Sequence, residues 1–291
     1  MSHLAFTKRA RNRVVLTAAA LSVAVLGAGC AQQPTRSPDT AQVTTTGVTG
    51  HVHGMNVDPE TGRVLLAAHE GLFDITSGAP EKIGPTIDLM GFAPAGEDHF
   101  YASGHPGPGS DMPNPVGLIH STDGGTTWKP LSLQGESDFH ALTVTRDGIV
   151  GFDGQVRRTG DLETWETVET DIQPYNLSGT PVSRVVLATT EQGVHRSGDA
   201  GRTWDLPADA PILLLTAFAD NSTAVGVAPG GTIQVSDDAG QTWEATGGTV
   251  KGQPAAVAAA IGEDRQTRIW VATDTGVEYS PDGGATFEAL N

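Results

Sequence analysis

Cysteine is almost absent from this 291-residue chain, which has only Cys30. A lone thiol closes no intrachain disulfide, so the fold must rest on its apolar core. Positive charge is scarce too: 17 Lys and Arg stand against 34 Asp and Glu, for a formal net charge of −17. Such a surface repels nucleic acid and anionic lipid headgroups and attracts cations. No helical period of useful length follows residue 30. The apolar run from Val14 to Leu26 falls short of the ~20 residues a membrane-spanning helix needs. Neither HExxH nor CxxC occurs, so no compact signature fixes a metal site or a redox pair.

What the amino terminus does contain is ordered. Lys8, Arg9, Arg11 and Arg13 precede the apolar run, and "GAGC" follows it. This series reads as an export signal. "LGAGC" resembles the lipobox of bacterial lipoproteins, departing from it at Gly27, where leucine is commonest. The resemblance implies a signal peptide over 1–29 and lipidation of Cys30. The domain is then expected outside the cytoplasm, touching the membrane only through its lipid anchor. Residues 30–48 are polar, rich in Thr, Gln and Pro and without a period, so a flexible tether is expected there. Residues 49–291 are long enough for one sizeable domain, expected to be a monomer. Losing the four basic residues of the signal takes the formal charge from −17 to −21.

Within that domain one box recurs: "STDGGTTW" at 121–128, "SGDAGRTW" at 197–204, "SDDAGQTW" at 236–243 and "SPDGGATF" at 280–287. "TGDLETW" at 159–165 and "SGAPEKI" at 77–83 read as degenerate copies. A period near 40 with two apolar strand-like segments ahead of each box predicts an all-β propeller, one four-stranded blade per repeat. Six blades are expected, with seven as the alternative count. The box resembles the Asp-box, or BNR repeat, of sialidase-like propellers. That resemblance implies a structural box joining the third and fourth strands, on the face opposite the ligand site. Its Asp can accept bonds from its own turn, its Gly permits positive φ, and its aromatic can be buried between blades.

Stacking the inner strands of the repeats aligns a set of unusual residues. His53, Met90 and His140 share one position; His51, Asp88 and Asp138 share the position two residues earlier, on the same side of a strand. His69 with Glu70, and His105, fall in turns expected on the same face. The second of those turns opens the longest insertion, "GHPGPGSDMPNPVG", which carries Met112 and could form a stiff lid. Leu177, Leu214 and Val257 stand at the equivalent place in the other half. Imidazole suits Zn, Cu, Ni or Fe, and thioether favours Cu(I). A transition metal, copper or zinc, is therefore expected on some of His51, His53, His69, Met90, His105 and His140. His99, His120 and His195 read as ordinary packed or surface histidines.

"HVHGMNVDPETGRVLLAAHEGLF", "ASGHP" and "SDFHAL" resemble an exported bacterial group labelled glycosyl hydrolases, which implies a glycan as the alternative ligand. A typical sialidase is excluded, since the arginines fall away from the ligand face and no "RIP" motif is present. Another glycosidase would draw its two carboxylates from Glu70, Asp88, Glu136 and Asp138. A non-catalytic assembly propeller is the third reading.

Overall fold

The computed structural model of the chain describes residues 44–45, 48–49 and 51–290. Cys30, the expected signal peptide and most of the expected tether lie outside the described residues. Thr44–Thr45 and Val48–Thr49 pair with each other. Val48 is buried in the domain core, so the folded unit takes in the last residues of the expected tether.

The described residues form strands and turns without a helix, arranged as six antiparallel blades. Their inner strands are Val52–Val57, Ile87–Pro94, Ala141–Thr145, Asn176–Gly179, Leu215–Phe218 and Pro254–Ile261. Each inner strand contacts those of both neighbouring blades, blade 6 meeting blade 1, so the ring is closed with six blades. Blades 1, 2, 3, 5 and 6 have four strands in sequence order. Blade 4 has three, its fourth reduced to a single bridge between Arg196 and Asp205.

The second strands are buried along their whole length, as in Val64–Ala68, Val186–Thr190 and Ala224–Val227, so each of these blades has two faces to bury, and the core divides accordingly. There are six apolar clusters, one for each seam between blades. Trp128, Trp165, Trp204, Trp243 and Phe287 each pack into the seam with the preceding blade. Trp165 stacks on Phe139 at 4.6 Å and donates its indole N–H to Ser132 Oγ at 2.9 Å. The seam between blades 6 and 1 is filled instead by Trp270, Tyr279 and Val48.

The boxes are turns closed by their own side chains. In the fourth blade Asp199 Oδ1 accepts from Ser197 Oγ, Arg202 N and Thr203 N, while Oδ2 accepts from Thr203 Oγ1 at 2.7 Å. The Gly201 N–H donates to Ser197 Oγ at 2.9 Å. The same lattice recurs around Asp123, Asp238 and Asp282. The box glycine has two reasons to be glycine. Gly240 has φ +84°, and an added Cβ would stand 2.4 Å from Leu187 Cδ2 of the preceding blade.

"SGAPEKI" does not build this lattice. The connection of blade 1 begins earlier, with Thr76 N and Oγ1 donating to Asp74 Oδ1, and Ser77 Oγ reaches only Ala79 O. Without an Asp two residues beyond the serine, the turn has no acceptor to gather its amides.

Candidate metal centre

The inner strands surround a central cavity of about 980 Å³. His53, Met90, His140, Leu177, Leu215 and Val257 line it, one from each blade in turn. In blade 5 it is Leu215 that lines the cavity, while Leu214 packs into the seam between blades 5 and 6.

The register of blades 1 and 2 explains why His53 and Met90 reach the cavity. In blade 1, Val52 pairs with Ala68 and Gly54 with Ala67, leaving His53 as an extra residue. In blade 2, Leu89 pairs with Gly104 and Gly91 with Ser103, leaving Met90 extra. Blade 6 repeats the arrangement with Ala255. A β-bulge at this point turns the extra side chain out of the ladder. Blade 3 differs: its strand begins at Ala141, and the Phe139 N–H is taken by Ser103 Oγ of blade 2 at 3.0 Å. Asp138 and His140 therefore sit just ahead of that strand.

Two carboxylates gather the histidines. Asp88, at the start of blade 2, meets blade 1. Its Oδ1 lies 2.8 Å from His69 Nδ1 and 4.0 Å from His53 Nε2. Donor atoms of His53, His69 and Asp88 all fall within 4.8 Å of one another, the only such group of three or more among the described residues. His53 Nε2 and Asp88 Oδ1 are both buried and make no directed hydrogen bond. The 2.8 Å approach of His69 Nδ1 to Asp88 Oδ1 is a close contact that falls outside hydrogen-bond geometry. Tetrahedral zinc with ~2.1 Å bonds holds its ligand atoms ~3.4 Å apart. The two observed separations bracket that value. Burial first, and then the neighbouring His69, lowers the pKa of His53 to about 4, so the imidazole is neutral at neutral pH and free to coordinate.

Asp138, at the start of blade 3, is engaged differently. Its Oδ2 hydrogen-bonds His140 Nε2 at 2.8 Å and lies 3.2 Å from His105 Nε2, while its Oδ1 is buried without a partner. His105 Nδ1 is 2.8 Å from Asn114 Oδ1, which ties the 107–117 insertion to this group. Val116 is buried and Met112 packs on the core between blades 1 and 2, so the insertion is fastened at both points.

The remaining expected ligands fall around these groups. The His51 ring is edge-on to His69 at 5.5 Å. Glu70 is half-buried in the turn after His69. Asp88, one of the candidate carboxylates of the glycosidase alternative, stands beside two imidazoles. Its signal was its place ahead of Met90; nothing in the sequence marked Asn114. His195 is buried near Thr190, and His99 packs on Tyr101. Among the described residues lining the cavity there is no Lys or Arg. Arg63 pairs with Asp74, and Arg184 with Asp147, outside the cavity.

The BNR/Asp-box repeat model matches residues 119–130 and 234–245. No curated protein sequence matches the chain significantly. Among solved structures, a GH74 enzyme from Niastella koreensis is similar with TM-score 0.56 and 16% identity over 83% of this chain and 37% of that one. A GH74 xyloglucanase from Xanthomonas campestris gives TM-score 0.54 and 17% identity, covering 83% and 38%. The chain thus spans well under half the length of these two enzymes. YCF48 bound to a D1 peptide gives TM-score 0.50 and 18% identity over 86% and 82%. At such identities the likeness is one of fold: this chain is a six-bladed β-propeller carrying BNR/Asp-box repeats.

Proposed function

We propose that this protein binds one divalent transition-metal ion, copper(II) or zinc, through His53, His69 and Asp88. The observation that carries the reading is a pair of buried, unpartnered atoms, His53 Nε2 and Asp88 Oδ1, converging with His69 on one point. Leaving such groups without a partner costs free energy that a bound cation would recover. Two imidazoles and a carboxylate form a borderline-to-hard donor set, which favours a divalent ion over Cu(I). His51, whose ring lies 5.5 Å from that of His69, is a further donor beside the group. Three protein ligands leave coordination positions open, and one of the three residues, His53, also lines the cavity.

The test is metal stoichiometry. Protein stripped of metal and then equilibrated with Cu²⁺ or Zn²⁺ near neutral pH should retain one equivalent. His53→Ala with His69→Ala should retain none while staying folded. Absence of uptake by the unaltered protein ends this reading. A glycosidase reading draws on Glu136 and Asp138, which line the same cavity; sugar release by metal-free protein would bring it forward.

The same reading places the domain outside the cytoplasm, held to the membrane by lipid on Cys30. Its support is the basic, apolar and small-residue series that ends at that cysteine. A Cys30→Ala chain that is processed and membrane-held as before would remove it.

A further inference from the structure

Among the described residues four large apolar side chains are exposed: Tyr175 at 65%, Val182 at 61%, Ile212 at 57% and Leu206 at 44%. All four belong to blade 4, the blade whose fourth strand is reduced to a single bridge. Val182 stands alone in the turn on the box side. The other three share the opposite end of the blade. Tyr175 precedes the inner strand, its N–H bonded to Thr189 O at 2.9 Å, and lines the central cavity. Segment 206–212 lies over the same end of the third strand, Gly193–Ser197. There Val194 N donates to Pro211 O at 3.1 Å, and a Cβ added to Gly193 would stand 3.4 Å from Leu206 Cδ1. First and third strands of a blade are about 10 Å apart, so this apolar surface is wider than one small ligand group. Apolar side chains left together in water in this way mark an interaction surface.

Charge identifies what covers it. Segments 168–175, 191–192 and 205–214, which form this end of blade 4, hold Glu169, Asp171, Glu191, Asp205 and Asp209, all exposed, and no Lys or Arg. Glu136 and Asp138 continue the acidic border along the cavity wall, Asp138 bonded to His140 and Glu136 exposed. Asp153 on the same wall is already paired with Arg157 at 3.1 Å. The arginines of blade 4 lie towards the box side: Arg184 and Arg202 approach Asp147, and Arg196 Nε donates to Ala239 O in the box of blade 5. We propose that the surface of Tyr175, Leu206 and Ile212 docks an extended, basic segment of another protein. Apolar side chains of that segment cover these three residues, and its Lys or Arg side chains meet the flanking carboxylates. Opposite charge guides the encounter, and the apolar contact holds it. The surface uses none of His53, His69 and Asp88, so it stands apart from the metal reading.

A short labelled peptide of lysine and leucine is titrated by fluorescence anisotropy into metal-free protein, beside two peptides of equal length, one of lysine and serine and one of glutamate and leucine. The lysine–leucine peptide should bind roughly tenfold or more tighter than the lysine–serine peptide, and the glutamate–leucine peptide should not bind. Its affinity should fall several-fold from low to physiological ionic strength. Tyr175→Ser, Leu206→Ser and Ile212→Ser together should remove the preference for leucine over serine. Glu169→Gln, Asp171→Asn, Glu191→Gln and Asp209→Asn together should flatten the salt dependence, and Val182→Ser, on the other face, should change neither. Equal binding of the lysine–serine peptide, binding of the glutamate–leucine peptide, or a leucine preference that survives the triple serine variant overturns the proposal. Displacement of the peptide by spermine at an equal concentration of positive charge makes the occupant a small amine and overturns it as well. Because the protein is metal-free throughout, failure of metal uptake leaves this test untouched.

Discussion

Asp199 and Asp88 are the same residue in the same propeller, one in a box turn and one at the head of an inner strand. Every lone-pair direction of Asp199 that matters is filled from its own loop: a serine hydroxyl, two amides and a threonine hydroxyl. Asp88 has an oxygen that is buried without a hydrogen bond, 2.8 Å from His69 Nδ1. A saturated carboxylate holds a turn together and has no capacity for anything else. An unsaturated one retains a binding capacity that folding has not used. Asp138 stands between them, with one oxygen hydrogen-bonded to His140 and the other buried without a partner.

Substituting the ligands should break this contrast most severely. His53→Ala with His69→Ala is expected to weaken metal binding on the order of a thousandfold or more, read by competition with a chromophoric chelator. Asp199→Ala should act on stability alone. Losing several turn bonds costs about 2 kcal/mol, a fall in Tm of roughly 5 °C by calorimetry, with metal stoichiometry unchanged. A box variant that folds normally and loses the metal would invert the assignment of the two faces.

Asp88→Asn keeps the shape of the third ligand and removes its charge, so metal affinity should fall about tenfold. His140→Ala is the sharpening control. It sits on the hydrogen-bonded carboxylate and should change metal affinity by less than about threefold. A loss as large as that of the His53 variant would place both histidine groups in one centre.

Acidity separates the two kinds of carboxylate again. The Thr127 hydroxyl, followed by the Thr127 amide, holds Asp123 down to about 2, and Thr286 does the same for Asp282. These folded-state values lie below the unfolded one near 4, so the unfolded chain binds protons first. The boxes therefore contribute their full stability above pH ~4 and lose it as pH falls towards 2. His53 is also lowered, but it is a base, and its neutral form is the one that folding favours. Metal-free protein should lose stability as pH falls from ~6.5 towards 4, and His53→Gln should flatten that limb of the pH–stability curve.

Much of the fold was legible because the repeat fixes its own register. Six inner strands were located from the period of the repeat, and aligning them put His53, Met90 and His140 at one position. Two things were not legible. Repeat alignment says which residues are equivalent but not which blade's residue a side chain meets across a seam. Asp88 joined His53 and His69 because the second residue of one inner strand faces the turn of the preceding blade. The sequence also gave no sign that His140 and His105 would share Asp138, since that depends on where the 107–117 insertion brings Asn114 and on Ser103 capturing the Phe139 amide. Blade 1 misled for a related reason: a serine and a glycine in phase suggested a box, but the acceptor that organises one was missing.

The bulge in the inner strand has a consequence for how such a site can be altered. Blades 1, 2 and 6 build the same socket and fill it with His53, Met90 and Ala255. The backbone irregularity accompanies three unrelated side chains, so it does not depend on the chemistry it displays. Exchanging His53 or Met90 changes what the cavity offers while the seam clusters, to which neither belongs, keep their packing; Ala255 also packs on the seam between blades 6 and 1. Ligand preference and architectural strength are thus adjustable through separate residues of the same strand.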